Sequence, residues 1–278
     1  MDLTWFHSII YGLLSGLTDI LPISTQAHQV LLLKFFGTKD AGNLMNLLVH
    51  LGIFAALYYS SQTQFIRMNR ARALARIPKK KRKRPLDTRS MMDWSLLKTM
   101  FIPCILGLYC FQYVQKMKQE FLLIALFLFL NGIVLYVPQF LPTSNRDSRT
   151  LSRVEGLLMG LGGTVSILPG MSAVGTALSV GSICGVDRTY GLNMVLMMNT
   201  FLTAGWIVYD ILGIINTGLG TLSFTILLRY LITAVASFGG ATLGIKFMRH
   251  IALEHDYSMF GVYCWGLALF IFILNLMA

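Results

Sequence analysis

The chain has 278 residues, of which 55% are hydrophobic and only 13% charged, with a mean hydropathy of +0.65. A soluble domain carries about 25% charged residues, so the composition excludes an ordinary water-soluble fold and points to an all-α polytopic membrane protein. The net charge of +11 is local: between Arg67 and Arg89 stand eleven lysines and arginines against one acid, Asp87. Between apolar segments such a run reads as a cytoplasmic loop, 64–93, beside anionic lipid heads, and no nucleic-acid partner is expected.

In chain order, apolar segments fall at 3–18, 22–36, 43–61, 94–113, 119–140, 154–168, 170–186, 190–214, 222–245 and 257–277. The first lacks a basic leader and a small-residue cleavage site, so it is expected to belong to the fold and not to a signal peptide. The pairs 3–36 and 154–186 are each interrupted by a proline, Pro22 and Pro169, and their halves are too short to span. Each pair therefore predicts a re-entrant helical hairpin, because non-helical backbone at depth must be buried in protein. With loop 64–93 inside, Arg146, Arg149 and Arg153, and later Lys246, Arg249 and His250, also fall on the inside. The four cysteines lack metal-ligand spacing and read as free thiols.

The hairpins echo one another. Gly12-Leu-Leu-Ser-Gly-Leu17 returns as Gly156-Leu-Leu-Met-Gly-Leu161, and Ile20-Leu-Pro-Ile-Ser24 as Ile167-Leu-Pro-Gly-Met-Ser172. Three spanning segments follow each hairpin, and an odd number inverts the second copy. The expectation is one membrane domain over 1–278, built as an inverted repeat (1–141 and 151–278) with a site where the broken helices meet.

The first break carries Asp19, Ser24, Thr25 and His28. An ionisable group at bilayer depth is costly and marks a functional site. Helices starting after the two prolines present unpaired N–H groups, and Gly162, Gly163, Gly170 and Gly175 permit close backbone approach, which favours an anion such as phosphate. His28 follows Ser24 by four residues, so the two share a helix face. Two readings of this spacing stand side by side. In one, hydroxyl, imidazole and carboxylate form a nucleophile, base and orienter; in the other, Ser24 and Thr25 cap a helix and His28 makes a structural hydrogen bond. His50 reads as a packing residue able to face the same pocket, Asp187 as a helix cap, and Asp210 as a residue near the outer end of its helix.

The run Gly-Leu-Thr-Asp-Ile-Leu-Pro-Ile-Ser-Thr-Gln-Ala-His28 resembles the first motif of the undecaprenyl pyrophosphate phosphatases, the bacitracin-resistance family. Leu168-Pro-Gly-Met-Ser-Ala-Val-Gly-Thr176 resembles that family's second motif. The resemblance implies hydrolysis of a polyprenyl diphosphate to the monophosphate carrier of cell-wall synthesis, at a site on the outer side of the plasma membrane. It implies Ser24, Thr25 or His28 as nucleophile, His28 as proton shuttle, and Asp19 as orienter or as ligand to Mg²⁺ or Ca²⁺. Gly170, Ser172, Gly175 and Thr176 would bind substrate. Four positions depart from the family pattern: Ser15 stands for a glutamate, Asp19 for a second glutamate one methylene longer, Ala173 for an arginine and Val174 for a serine. An arginine there would grip phosphate through a bidentate fork, and Gly156 to Val186 holds no charged residue at all. Two other functions therefore stay open, a polyprenyl-phosphate or lipid-phosphate transporter and an inactive relative.

Overall fold

The computed structural model describes residues 4–38, 40–114, 117, 120–142, 144–218, 223–254 and 257–277. Among them lie ten α-helices: α1 (Trp5–Ile20), α2 (Thr25–Phe35), α3 (Asn43–Ala75), α4 (Thr88–Val114), α5 (Phe121–Tyr136), α6 (Arg153–Thr164), α7 (Ala173–Ile183), α8 (Arg188–Thr217), α9 (Phe224–Glu254) and α10 (Ser258–Leu276). Six of these (α3, α4, α5 with its following 3₁₀ turn, α8, α9 and α10) are long and apolar enough to cross a membrane. Leu106, Val235, Val262 and Leu269 are more than half exposed on them, as side chains facing lipid are. The chain is a multi-pass membrane protein.

The helix boundaries follow the sequence to within a few residues except at the basic stretch and at the end of α9, which continues to Glu254 past the expected 245. Helix α3 continues to Ala75 and α4 begins at Thr88, which leaves 76–87 as the connection. The cause is local: residues 67–75 are mainly Arg, Ala, Leu and Met, all good helix formers, and nothing stops the helix at the bilayer edge. Its end is held by Arg82, which donates to the carbonyls of Ala75 (3.0 Å) and Ile77 (2.8 Å).

The echoed glycines are contact points between helices. A Cβ on Gly12 would meet the carbonyl of Thr233, and one on Gly16 that of Ser237, so α1 lies directly against α9. In the other half, Gly156 faces the Thr99 hydroxyl and Gly160 the Met100 carbonyl, which sets α6 against α4. Small residues at four-residue spacing are the usual means of bringing helices together where lipid removes the hydrophobic drive. Other extensive contacts pair α3 with α9, α8 with α4, α3 with α8, and α5 with α10. Exchanging the first five helices for the last five maps these contacts onto one another, whereas the smaller contacts of α1 with α3 and of α5 with α7 have no equally extensive counterpart.

Both breaks carry a serine cap. The Ser24 hydroxyl accepts from the Ala27 N–H (3.4 Å), and the Ser172 hydroxyl from the Gly175 N–H (3.2 Å). Ser24 has a φ of +56°, the one non-glycine in the left-handed region among the described residues. The turn before it is therefore tight enough to strain the backbone.

Candidate functional site

The two breaks touch. The Ser172 hydroxyl donates to the Leu21 carbonyl (3.4 Å), and the Gln26 amide to the Ser166 carbonyl (3.3 Å). Between them stands Asn131 of α5, fully buried. Its amide nitrogen donates to the Pro22 carbonyl (3.1 Å) and its oxygen accepts from the Ser172 N–H (3.0 Å). One side chain thus joins both broken turns through backbone groups.

Beside this junction opens a cavity of about 580 Å³. The starts of α2 and α7 border it through Thr25, Gln26, Ser172 and Ala173. First-turn N–H groups lack intrahelical acceptors, and each helix start carries about half a positive charge, so the two together favour an anion. Asp19, at the end of α1, also lines it: one carboxylate oxygen accepts from Asn199 of α8 (3.0 Å), and the other faces the Thr25 hydroxyl (3.5 Å).

The remaining expected site residues lie elsewhere. The hydroxyl of Ser24 is fully buried as a cap. The imidazole of His28 does not face that hydroxyl or share the cavity with Ser172. Its Nδ1 lies 2.8 Å from the Ser24 carbonyl, and its Nε2 lies 2.8 Å from the Tyr263 hydroxyl on α10, with the two rings stacked. The physical reason is that a side chain four residues into a helix meets the cap's carbonyl, not its side chain. In the second hairpin, Gly170 packs on the backbone of α5 and Gly175 on Pro22. Thr176 donates to the carbonyls of Gly162 (2.5 Å) and Ser172 (2.6 Å). Gly162 faces Thr176 and Gly163 faces Met198, so these glycines admit protein, not ligand.

Sequence reasoning undervalued the long helices. His50 of α3 and Asp210 of α8 both line the cavity and form a pair, Nδ1 to Oδ2 at 2.6 Å, beside Trp206. Asn46 accepts from the Tyr11 hydroxyl (3.0 Å). The available signal was polar spacing: Asn43, Asn46 and His50 fall on one face of α3, and Asn199, Trp206 and Asp210 on one face of α8. Asp40 and Asn43 stand at the opposite end of α3 from the basic connection.

Among the described lining residues the charged groups are Asp19, Asp40 and Asp210, with His50 and no lysine or arginine. Among the described residues no three His, Cys, Asp or Glu side chains gather as a preformed metal cage. A magnesium-like ion commonly binds through one or two carboxylates plus substrate phosphates. Asp19, whose carboxylate oxygens meet the Asn199 amide and the Thr25 hydroxyl, is the lining carboxylate nearest in sequence to the helix break.

A profile of the family described as bacitracin resistance protein BacA matches residues 8–270. Curated relatives are similar over almost the whole chain. The undecaprenyl-diphosphatase of Methanobrevibacter smithii is 26% identical over 271 residues, covering 96% of each chain. Undecaprenyl-diphosphatase 1 of Shouchella clausii is 28% identical over 276 residues, covering 96% of this chain and 95% of its own. The enzyme of that name from Carboxydothermus hydrogenoformans is 24% identical over 275 residues, covering 97% of both. The match takes in both helix breaks, five of the six candidate spanning helices and α10 as far as residue 270, so this chain belongs to the bacitracin resistance protein BacA family.

Proposed function

We propose that this protein is a membrane phosphatase that hydrolyses a polyprenyl diphosphate of the undecaprenyl type to the monophosphate. The observation that carries the reading is the shared cavity in which Asp19 and Thr25 from one break face Ser172 and Ala173 from the other. The family and the names of its relatives supply the substrate class.

The diphosphate rests against the starts of α2 and α7. Thr25 attacks the terminal phosphorus, its proton passes to Asp19, and the bond to the bridging oxygen breaks, releasing the lipid monophosphate. Water then attacks the phosphothreonine and frees inorganic phosphate. A divalent cation entering with the diphosphate would be held by Asp19 and would supply the counter-charge that the lining lacks. The matching helix contacts of the two halves support an inverted repeat with α1–α2 and α6–α7 as re-entrant hairpins. The basic connection 76–87 supports a cytoplasmic position for that end of α3 under the positive-inside rule, and with it a cavity that opens on the outer side of the plasma membrane.

The test is phosphate release from undecaprenyl diphosphate by the purified protein in detergent with Mg²⁺. Wild type releases phosphate, while Thr25→Val and Asp19→Asn each lose about 10²–10⁴-fold, the range of a general acid–base contribution. A folded wild type that releases none overturns the proposal. Protein-dependent movement of the monophosphate across liposomes would then assign transport instead.

A further inference from the structure

The mechanism above leaves the proton of the attacking water unassigned, and among the cavity's described lining residues there is one imidazole, His50. We infer that His50, oriented by Asp210, is the proton carrier of this site, in place of His28; the inference rests on the phosphatase reading. Three features carry it. The Nδ1 of His50 lies 2.6 Å from a carboxylate oxygen of Asp210. With Asp210 accepting from Nδ1, the nitrogen of the ring left to exchange a proton with a ligand is Nε2. Asp210 is 5% exposed, so the carboxylate is held within the protein while its partner borders the cavity. Trp206 stacks on the ring, with centroids 6.3 Å apart, and limits its rotation. His28 has both ring nitrogens engaged by Ser24 and Tyr263 and does not line this cavity.

The step balances. A water oxygen bonds to the phosphorus of the phosphothreonine and its proton goes to His50 Nε2. The bond from phosphorus to Thr25 Oγ breaks, and that oxygen recovers the proton held by Asp19. The imidazolium, stabilised by Asp210, then releases its proton to water in the cavity. Asp210 acts through His50 and is a positioning residue.

The other titratable groups facing this cavity are Asp19 and Tyr11 of α1, Asp40 before α3, and Tyr209 beside Asp210 on α8. The experiment measures phosphate release from undecaprenyl diphosphate across pH for wild type, His50→Gln, His50→Ala and Asp210→Asn, each checked for a folded, monodisperse peak. His50→Gln is expected to lose about 10²-fold in kcat with little change in KM, together with the acid limb of the pH profile. Added imidazole is expected to restore part of the kcat of His50→Ala, a recovery that a packing defect does not give. Asp210→Asn lowers kcat and moves the acid limb. His28→Gln keeps the wild-type shape of the profile even where it lowers the rate. Folded His50 variants with wild-type kcat and profile, or a His50→Ala deaf to imidazole beside a His28→Ala that responds, overturn the assignment while leaving the phosphatase reading in place. A wild type without phosphate release overturns both.

Discussion

Asn131 is the side chain on which the site's construction can be tested most directly. It donates to the Pro22 carbonyl at 3.1 Å and accepts from the Ser172 N–H at 3.0 Å, and it is fully buried. Asn131→Leu keeps the volume and removes both bonds, together with a weaker one to the Cys264 sulfur (3.4 Å). The carbonyl and the N–H then remain buried without this partner, at a cost of about 1–3 kcal/mol each. Their sum, about 2–6 kcal/mol, corresponds to about 5–20 °C in Tm for a chain of this size. Asn131→Asp is the informative companion. It keeps an acceptor for Ser172 but sets a second oxygen against the Pro22 carbonyl, so its loss should arise almost wholly from the first hairpin. The measurement is thermal unfolding of the detergent-solubilised protein followed by tryptophan fluorescence, with phosphate release in parallel. Both variants should lose stability, and activity should fall further than the folded fraction explains because two halves of one site have moved apart. A Tm unchanged in Asn131→Leu would refute the idea that this side chain ties the hairpins together.

Three further outcomes follow from the structure. Gly16→Val pushes a side chain into the Ser237 carbonyl on α9 and should destabilise by about 1–3 kcal/mol through overpacking, whereas Gly266→Ala, with nothing within 4 Å of the added carbon, should leave Tm near wild type. The Arg149 guanidinium beside Asp147 (2.8 Å) holds that carboxyl below the ordinary carboxylate range. Because the folded value is depressed, its contribution is complete above the unfolded value of about 4 and fades as pH falls through the lowered one; Asp147→Asn should flatten the acid side of a Tm-against-pH curve. Ala173→Arg places a guanidinium at the start of α7 inside the cavity and should raise phosphate release at low Mg²⁺; equal rates at every Mg²⁺ concentration would mean that no phosphate lies there.

The helices and their breaks were legible because the features that encode them are local. Pro22 and Pro169 interrupt apolar runs too short to span, and caps follow at Ser24 and Ser172. Gly12 and Gly16, like Gly156 and Gly160, repeat because each pair brings two helices together. Part of the cavity lining was legible in the same way, since Asp19, Thr25 and Ser172 stand next to breaks. The rest was not. A lone His50 or Asp210 in an apolar helix has the same appearance whether it packs or reacts, and only the crossing of α3 and α8 brings the two to 2.6 Å. His28 misled for a related reason: four-residue spacing specifies a shared helix face but not which atom of Ser24 the ring will meet.

Charge decides what the cavity can take. Its described lining supplies Asp19, Asp40 and Asp210 against one imidazole, and the starts of α2 and α7 add only about half a positive charge each. A diphosphate brings several negative charges more. In a medium where unscreened charges act strongly, such a ligand enters with its own cation or finds carboxylates already protonated. The second motif that this chain resembles has an arginine where this chain has Ala173, so under the proposed function the counter-charge comes from a mobile ion and not from a fixed guanidinium. A fixed cation binds phosphate at any ion concentration; a mobile one makes binding rise and fall with the supply of that ion. On the proposed function, the expected consequence of Ala173 is phosphate release that rises and falls with added Mg²⁺ at the cavity lined by Asp19, Thr25 and Ser172; release indifferent to Mg²⁺ would refute that expectation.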